Sequence, residues 1–376
     1  MLHFYVMRTP LRVQYILPSS PLGERMPTGQ VRGRLLYFMV IYRLPYSSEA
    51  IRVECDTGTR LDSIDDIRGR KGFVMIPYDL EYKHQVLLFE GSQVKMPIPQ
   101  QPSHNAQQPR QITQNPSLYA KSFASFMSAL QKGEFTKLVL SRTSEWEWDN
   151  NERGLLDAFY RACTLYPRMM IYLAQIPGEG VWMGCTPEIL VSGSGNHYRT
   201  MALAGTMSVP DTVPVRNIVW SEKNRKEQEI VADYVREAVS PYVRILEEEG
   251  PYTSRAGQLV HLKTEFHLAP KSPYNESIIN TLVKALHPTP AVCGLPAKEA
   301  AAFIRENEGY DREYYSGVVG MLDEDNETNL FVNLRCGHFL NGKAILYGGG
   351  GILKDSTLGS EWNETNWKMN TILQIL

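Results

Sequence analysis

Alternating apolar and polar positions predict several short strands in the first quarter of the chain. Four such runs lie between residues 35 and 95, separated by turn residues: LLYFMVIYRL, AIRVEC, GFVMIPY and HQVLLFE. Short runs of this kind are typical of β-strands. A segment rich in Pro, Gln and Asn follows at residues 97–117. Its composition indicates an exposed connection and a domain boundary.

From residue 118 onward, helical and strand periodicities come in blocks. Apolar residues at helical spacing predict helices at 118–133, 154–165, 221–239, 276–286 and 360–376, and alternation predicts strands at 135–148, 168–176 and 180–185. Two further runs predict hairpins, one around GSGN and one, NLFVNLRCGHFLNGKAILYGGGGI, turned at Asn341-Gly342. Blocks of this kind favour an α+β fold with largely antiparallel sheets.

The first 36 residues lack regular apolar periodicity. They hold five Arg, one Glu and no Asp, with prolines at positions 10, 18, 21 and 27. We interpret 1–36 as an irregular extension, or as a start assigned too early with Met39 nearer the true start. An extra strand at VQYIL is the alternative. The predicted organisation continues with a β-rich part at 37–96, the connection at 97–117 and a catalytic domain at 118–376.

Composition excludes several classes of protein. The chain has 376 residues, 39 Lys and Arg against 41 Asp and Glu, and 43% apolar residues. A net charge of −2 argues against nucleic-acid binding, since phosphate neutralisation needs surplus cations. Apolar runs are too short for a membrane span, and five scattered Cys indicate neither disulfides nor a zinc cage. We therefore expect a cytoplasmic protein of enzyme size.

Candidate chemistry is concentrated on two predicted helices. Glu361, Glu364 and Lys368 are spaced by three and four, so they share one face of a largely apolar helix. Glu227 points along the apolar stripe of the 221–239 helix, for which Ser221 is a plausible cap. An ordinary surface ion pair and a rim carboxylate are the simpler explanations. A cluster of the three acids would suit Mg²⁺, which prefers oxygen ligands.

Single residues on the predicted strands are individually uninformative. Lys137 opens one strand, Glu188 begins another, and Arg335 alternates with Asn333 and Gly337. The run of four glycines at 348–351 is no phosphate-binding loop, because no Gly-Lys-Ser/Thr follows. Such a run indicates either a bulge or a backbone that approaches another group closely.

Nine ordered segments over about 250 residues resemble the chorismate-utilising enzymes. The segments are FTKLVLSR (135–142), CTPEIL (185–190), LAGT (203–206), KNRKEQEIV (223–231), LHPTPAVCGLP (286–296), YDREYYSGVVG (310–320), LRCG (334–337), YGGGGI (347–352) and SEWNETNWK (360–368). The N-terminal third matches only loosely, around YRLP (42–45). The resemblance implies a fold of large antiparallel β-sheets stacked as a sandwich with flanking helices, and a deep active-site pocket.

The resemblance also implies the roles of the candidate residues. Glu227 and Glu364 match the family's Mg²⁺ ligands, with Glu361 as a further acidic neighbour, and the metal holds the ring carboxylate of chorismate. Arg335 and Lys368 match positions that bind substrate carboxylate. The wall of the pocket is expected at Gly205, Thr206, Ala291 and Gly349.

Within the family, the chain is most similar to isochorismate synthases. Lys137 matches the general base that activates water, and Glu188 matches the general acid. Amino-transferring members typically carry Gln at the position of Lys137, and aminodeoxychorismate synthases often carry a nucleophilic Lys where this chain has Ala204. The resemblance therefore implies isomerisation of chorismate to isochorismate. Salicylate synthase, an anthranilate or aminodeoxychorismate synthase subunit, and an inactive binding homologue are the alternatives.

Two departures from the family pattern bear on the metal site. The usual Glu-His pair is Glu227-Gln228 here, from which we expect a tuned rather than a missing site. The segment LGSEW has one residue more than the LGEW of some members, so the role of Glu361 is left open. We expect a monomer that acts on chorismate and needs no glutaminase, nucleic acid or membrane as a partner.

Overall fold

A computed structural model describes residues 38–55, 58–99, 109–149, 152–210, 212–271, 277–323 and 325–376. The predicted extension at 1–36 and most of the central part of the connection at 97–117 lie outside these ranges. The described residues belong to one compact unit. In the described part of the chain, no helix combines the length and the apolar character that crossing a membrane requires.

Strands and helices follow one another in blocks. In chain order the strands are β1 (Met39–Arg43), β2 (Glu49–Glu54), β3 (Thr59–Leu61), β4 (Gly72–Ile76), β5 (Val86–Phe89), β6 (Ser92–Pro97), β7 (Gln111–Gln114), β8 (Lys137–Glu147), β9 (Met170–Ile176), β10 (Gly180–Thr186), β11 (Ile189–Ser194), β12 (His197–Ser208), β13 (Val243–Ala256), β14 (Leu259–Pro270), β15 (Gly294–Leu295), β16 (Val318–Leu322), β17 (Thr328–Val332), β18 (Cys336–Leu340) and β19 (Lys343–Ile352). The helices are α1 (Pro116–Lys132), α2 (Glu152–Leu165), α3 (Glu222–Val239), α4 (Ile278–Leu286), α5 (Ala297–Asn307) and α6 (Leu358–Leu373).

Within the described residues the strands form two antiparallel sheets. The first has the order β15-β8-β19-β18-β10-β9-β1-β2-β6, with β7 also paired to β8. The second has the order β13-β14-β12-β11-β17-β16-β4-β5-β3. Strands from before and after the connection at 97–117 therefore lie side by side in both sheets.

The inner faces of the two sheets pack against each other. Tyr42 and Tyr172 of the first sheet contact Phe73 of the second, with ring centroids 5.5 and 6.0 Å from the Phe73 ring. These rings belong to one buried apolar cluster that joins both sheets. Burial of large aromatic side chains in this layer stabilises the sandwich. The predicted α+β sandwich is confirmed.

Helices cover the outer faces. Helix α3 packs Val231, Val235 and Val239 onto the second sheet together with α4, while α2 and α6 cover the first sheet. The predicted cap of α3 is present, since the Ser221 hydroxyl accepts a hydrogen bond from the Asn224 amide. This cap satisfies one of the free amides of the first turn and fixes where α3 begins.

Three features differ from the sequence-based expectations. Strand β17 pairs with β11 and β16 in the second sheet, so it is not part of the β18–β19 hairpin at Asn341-Gly342. The connection at 97–117 contains β7, which pairs with β8. Helix α5 and the long β13–β14 hairpin were not predicted. Strand β13 lies at a sheet edge and is largely exposed, so its sequence lacks apolar alternation.

Candidate active site

A pocket lies where β8 and β19 of the first sheet approach β12 and β14 of the second. Helices α3 and α6 contribute Glu227 and Lys368 to its lining. The space between the lining groups, including its opening to solvent, is about 570 Å³. Predicted residues that line this pocket are Glu188, Gly205, Thr206, Glu227, Ala291, Arg335, Gly349 and Lys368. Three predicted residues lie outside the lining. Lys137 contacts Glu227, Glu364 contacts Lys368, and Glu361 lies beside Glu364.

Lys137 is completely buried at the start of β8. Its ammonium nitrogen lies 3.0 Å from Glu227 Oε1. Strand β8 pairs with the glycine-rich end of β19, where Leu138 and Val139 face Ile352 and Gly351. A side chain at Gly351 would collide with this pair, because an added Cβ would lie 2.0 Å from Glu227 Oε1 and 2.9 Å from Lys137 Cε. The glycine run therefore permits close approach of Lys137 and Glu227 to the β19 backbone.

Glu188 lies between β10 and β11 and presents its carboxyl group to the pocket. Its backbone is fixed by a hydrogen bond from the Val332 amide to the Glu188 carbonyl (2.9 Å). Burial raises the pKa of Glu188 to about 7, although Lys137, Lys368 and Arg335 act in the opposite direction. Near neutral pH the carboxyl group is thus divided between its protonated and ionised forms, as a general acid requires.

Each of the three acids on α3 and α6 is paired with a lysine. Glu227 pairs with Lys137, Glu361 with Lys223 at 2.5 Å, and Glu364 with Lys368 at 2.7 Å. Burial alone would raise the pKa of Glu227, but the Lys137 and Lys223 ammonium groups outweigh burial and hold that pKa below its usual value.

Glu361 is the acid of this group with the least favourable surroundings. It is fully buried, and its Oε2 atom has no hydrogen-bond partner among the described residues. Burial and the neighbouring Glu364 raise the pKa of Glu361 despite the Lys223 ion pair. Close convergence of three ligand atoms, within 4.8 Å, occurs in the described residues at Glu247, Glu249 and His267 on the β13–β14 hairpin, not at the predicted triad.

Arg335 lies at the point where the chain crosses from the second sheet to the first. Its backbone has φ = 48°, a left-handed conformation that is uncommon for a residue with a side chain and is concentrated at functional sites. The Arg335 guanidinium donates to His261 Nε2 at 3.1 Å, while its Nη1 atom is buried without a partner among the described residues. Arg335 therefore retains hydrogen-bonding capacity that points toward an anionic ligand.

His261 of β14 fixes the orientation of Arg335. Its Nδ1 atom lies 3.2 Å from the Gly205 carbonyl, which can only accept, so Nδ1 carries the proton and Nε2 accepts from Arg335. Burial, Arg335 and Lys368 lower the pKa of His261 well below its usual value, so the ring is neutral. His261 was not predicted as a site residue, since it is one of several scattered His residues and its role depends on pairing of β14 with β12.

A bulge at Gly205 shapes the wall formed by β12. The β12–β14 register shifts between Ala204 and Thr206, and Gly205 has φ = 67°, which a glycine adopts without strain. The Ala204 amide donates instead to Gln228 Oε1 of α3 at 2.9 Å. Gln228 therefore ties α3 to the bulge, and its other hydrogen bonds go to the Ala202 carbonyl and the Thr264 hydroxyl of the second sheet.

Aromatic residues complete the pocket and were also missed. Tyr315 and Tyr347 line it and stack with ring centroids 5.1 Å apart, and Tyr347 stacks on Trp182. At Gly349, an added Cβ would lie 2.9 Å from the Tyr315 hydroxyl. Ala291, on the opposite side, precedes Val292 in the loop between α4 and β15. Tyr315 lies in the YDREYYSG segment. The sequence shows this motif but does not show that the Tyr315 side chain faces the pocket.

The pocket lies between two large sheets and is lined by both acidic and basic side chains. Such a pocket is typical of proteins that bind a small charged molecule. A family model described as "Chorismate binding enzyme" matches residues 80–376, and the chain belongs to this family.

Comparison with known proteins shows which members the chain is similar to. It is 33% identical over 249 residues to the isochorismate synthase EntC of Escherichia coli, covering 64% of this chain and 62% of that protein. Identity is 30% over 260 residues with the salicylate biosynthesis isochorismate synthase of Pseudomonas aeruginosa, covering 66% and 52%. The chain thus matches between about half and two thirds of the length of these relatives. The solved structure of the menaquinone-specific isochorismate synthase MenF from Escherichia coli has a TM-score of 0.74 at 20% identity, covering 92% of this chain and 90% of MenF.

Proposed function

We propose that this protein is an isochorismate synthase, which converts chorismate to isochorismate. The observation that carries the proposal is the pairing of Glu188, a buried carboxyl group with a pKa of about 7, with the buried amine of Lys137 near the same pocket. An acid and a base on different segments of the chain suit a reaction that adds water at one ring carbon and removes hydroxide from another. The names of the curated relatives support the same activity.

The proposed reaction moves a hydroxyl group by addition and loss. Lys137 accepts a proton from a water molecule, whose oxygen bonds to ring carbon C2. The two ring double bonds shift from C1=C2 and C5=C6 to C1=C6 and C4=C5, and the C4–O bond breaks. Glu188 donates its proton to the departing hydroxyl, which leaves as water. The return reaction exchanges the two roles.

The arginine and the second lysine of the pocket suit the two carboxylates of chorismate. Arg335 has a buried unpaired nitrogen, and Lys368 reaches the pocket from α6 while bonded to the Gly349 carbonyl at 2.7 Å. We propose that both bind substrate carboxylate, and that Gly205, Thr206, Ala291 and Gly349 form the wall.

We further propose that the enzyme requires Mg²⁺, held by Glu227, Glu361 and Glu364. The chemistry of the donors fits such an ion, because Glu361 Oε2 is buried without a partner among the described residues and lies beside Glu364, a repulsive arrangement that a cation relieves. The ligand atoms of the three acids do not converge within 4.8 Å, so the carboxylates must move together to share one ion. When bound, Mg²⁺ would supply positive charge to the ring carboxylate.

Charge balance supports joint binding of metal and substrate. In the form that reacts, Lys137 is a neutral amine and Glu188 is protonated. The formal charges of the other site groups cancel, since three cations face three carboxylates: Lys223, Arg335 and Lys368 against Glu227, Glu361 and Glu364. Chorismate carries two carboxylates, so a divalent cation entering with it keeps the balance.

We propose that the enzyme acts as a monomer, without a glutaminase.

Product analysis tests the proposal. The purified protein is incubated with chorismate and Mg²⁺, with and without ammonium, and the products are separated by chromatography. We expect isochorismate in both reactions and none in excess chelator. Anthranilate or aminodeoxychorismate formed only with ammonium would indicate an amino-transferring enzyme, and salicylate with pyruvate would indicate a salicylate synthase. Full activity in chelator would contradict the Mg²⁺ requirement.

A further inference from the structure

In the part of the chain that the structure describes, strand β8, which carries Lys137, has no neighbouring strand along part of one edge. Strand β15 pairs with Lys137 and Leu138, and β7 pairs with residues from Ser144 onward. Between these two short strands, among the described residues, β8 pairs with a strand only on its other edge, where β19 lies. On the open edge, the Val139 amide donates to the Cys293 carbonyl next to β15 at 2.7 Å, which leaves the Val139 carbonyl and Ser141 without a strand neighbour. Backbone groups that face such a gap in the interior need partners from elsewhere, because an unpaired buried amide or carbonyl is costly.

A buried ion pair between Glu308 and Arg312 fills this gap. Arg312 Nη2 donates to the Val139 carbonyl at 2.9 Å, and Glu308 Oε1 accepts from the Ser141 amide at 2.6 Å and from the Ser141 hydroxyl at 2.7 Å. Arg312 also donates to both oxygens of Glu308, at 2.6 and 2.7 Å. Each residue is only 3% exposed. The pair therefore replaces a strand neighbour at the Val139 carbonyl and at Ser141 of β8.

The same guanidinium also binds the neighbouring loop that lines the pocket. Arg312 Nη1 donates to the Val292 carbonyl at 2.7 Å, next to Ala291. Val139 and Val292 both line the pocket, whereas Arg312 and Glu308 do not. Together with the backbone hydrogen bond from the Val139 amide to the Cys293 carbonyl, this planar group holds the strand that carries Lys137 against the loop of Ala291 and Val292.

We propose that Glu308 and Arg312 are positioning residues of the reaction, which hold the backbone of β8 so that Lys137 meets the substrate in a productive geometry. This inference rests on the proposed function. Lysine cannot replace Arg312, because only the guanidinium fork presents donors to Glu308, Val139 and Val292 at once. Neither residue contacts the pocket, so both act through Lys137 and Val292.

The test compares Arg312→Lys with a matched control, Arg43→Lys. Arg43 is also buried, at 1% exposure, and donates to backbone carbonyls of Cys163, Tyr166 and Pro167 away from the pocket. Both variants should lose thermal stability, because each leaves buried carbonyls short of a donor. Kinetics are measured well below both unfolding midpoints, with the dissociation constant for Mg²⁺ measured by calorimetry.

We expect Arg312→Lys to lower kcat by about 100-fold, the effect of a misplacement on the order of 1 Å. The KM for chorismate and the affinity for Mg²⁺ should change little, because Glu227, Glu361 and Glu364 lie on α3 and α6. Arg43→Lys should keep kcat. An equal loss of kcat in both variants, or a change confined to KM, would overturn the proposal.

Two further measurements test the proposal if Arg312→Lys does not fold or if the enzyme catalyses a different reaction. Glu308→Gln keeps an acceptor for the Ser141 amide but loses the charge that orients Arg312. It should lower kcat by about tenfold, equivalent to about 1.4 kcal/mol, which is near the lower end of the contribution of a hydrogen bond to a charged group. Wild-type kcat in this variant would overturn the proposal.

Hydrogen exchange of β8 peptides, which needs no substrate, should rise in Arg312→Lys and not in Arg43→Lys. Unchanged exchange would overturn the positioning role, whereas an unexpected wild-type product would count only against the proposed function.

Discussion

Charged side chains are paired in one region of the site and unpaired in another. At one end, which we term the acidic end, each carboxylate has a lysine partner: Glu227 with Lys137, Glu361 with Lys223 and Glu364 with Lys368. At the other, the arginine end, Arg335 has no carboxylate within 4.0 Å among the described residues, and its neighbour His261 is neutral.

The difference indicates what each end accepts. At the acidic end the lysines already compensate the acids, so a metal ion can enter there only by sharing carboxylates with them. At the arginine end a buried cation lacks an anion, and burial of an unpaired charge is costly. We propose that a substrate carboxylate supplies the partner that Arg335 lacks. Glu188 responds to both ends, because Lys137, Lys368 and Arg335 all act on its pKa.

The largest expected effect comes from removing the base at the acidic end. Lys137→Ala should lower kcat by about 1,000-fold, within the range of general base catalysis, with a smaller change in chorismate binding. Steady-state kinetics provide the measurement, with Lys132→Ala, an exposed lysine of α1, as the control. A variant that keeps more than about a tenth of wild-type kcat has lost less than ~1.4 kcal/mol of transition-state stabilisation, which would exclude the base role.

Glu188→Gln probes the residue between the two ends. The amide keeps the shape of the side chain but cannot donate a carboxylic proton, so forward and reverse kcat should fall by the same factor, about 100-fold. Affinity for Mg²⁺ should persist. Normal turnover with weak Mg²⁺ binding would instead place Glu188 among the metal ligands.

The pH dependence of wild-type turnover reports the same group. Glu188 must be protonated in the forward direction, and its pKa is about 7. Forward kcat should therefore fall as the pH rises above about 7, and the reverse kcat should fall as the pH drops below it. In Glu188→Gln the residual rate should lack this dependence. A wild-type profile that is flat from pH 6 to 8 would contradict the assignment.

Arg335→Lys tests the arginine end. A lysine keeps the charge but loses the fork that can bind both His261 and a carboxylate, so the KM for chorismate should rise by about 30-fold, equivalent to about 2 kcal/mol. Metal affinity should change little. A variant with wild-type KM and impaired Mg²⁺ binding would reverse the assignment of the two ends.

The smallest effect is expected from Glu361→Gln at the acidic end. Removal of one carboxylate from the proposed set should weaken Mg²⁺ binding about tenfold, measured by calorimetry, with the fold intact. Because Glu361 is buried and repelled by Glu364, the variant should unfold at a temperature no lower than that of wild type. Unaltered Mg²⁺ affinity would remove Glu361 from the ligand set.

Local chemistry made much of the fold predictable. The Ser221 cap and the Asn341-Gly342 turn are short-range signals, and both are present. The long edge strand β13 was missed because its polar sequence carries no alternation. Strand β17 was assigned to the wrong hairpin because the chain changes sheets at Arg335, which depends on contacts with distant strands.

The site was less accessible to sequence reasoning. Lys137 and Glu227 are ninety positions apart, and only the family resemblance suggested that they meet. Neither the lysine partners of the acids nor the hydrogen bond between His261 and Arg335 follows from spacing, because each joins different elements of the fold. The Glu308–Arg312 pair fills a gap between two strands that no local pattern predicts.

Turnover in ¹⁸O-labelled water tests the central claim most directly. If Lys137 activates a water molecule and Glu188 removes the original hydroxyl, isochorismate formed from unlabelled chorismate should carry one ¹⁸O atom, located at C2 by mass spectrometry and nuclear magnetic resonance. Isochorismate without the label would mean that the hydroxyl migrates within the substrate, and would contradict an acid and a base acting on separate water and hydroxyl groups.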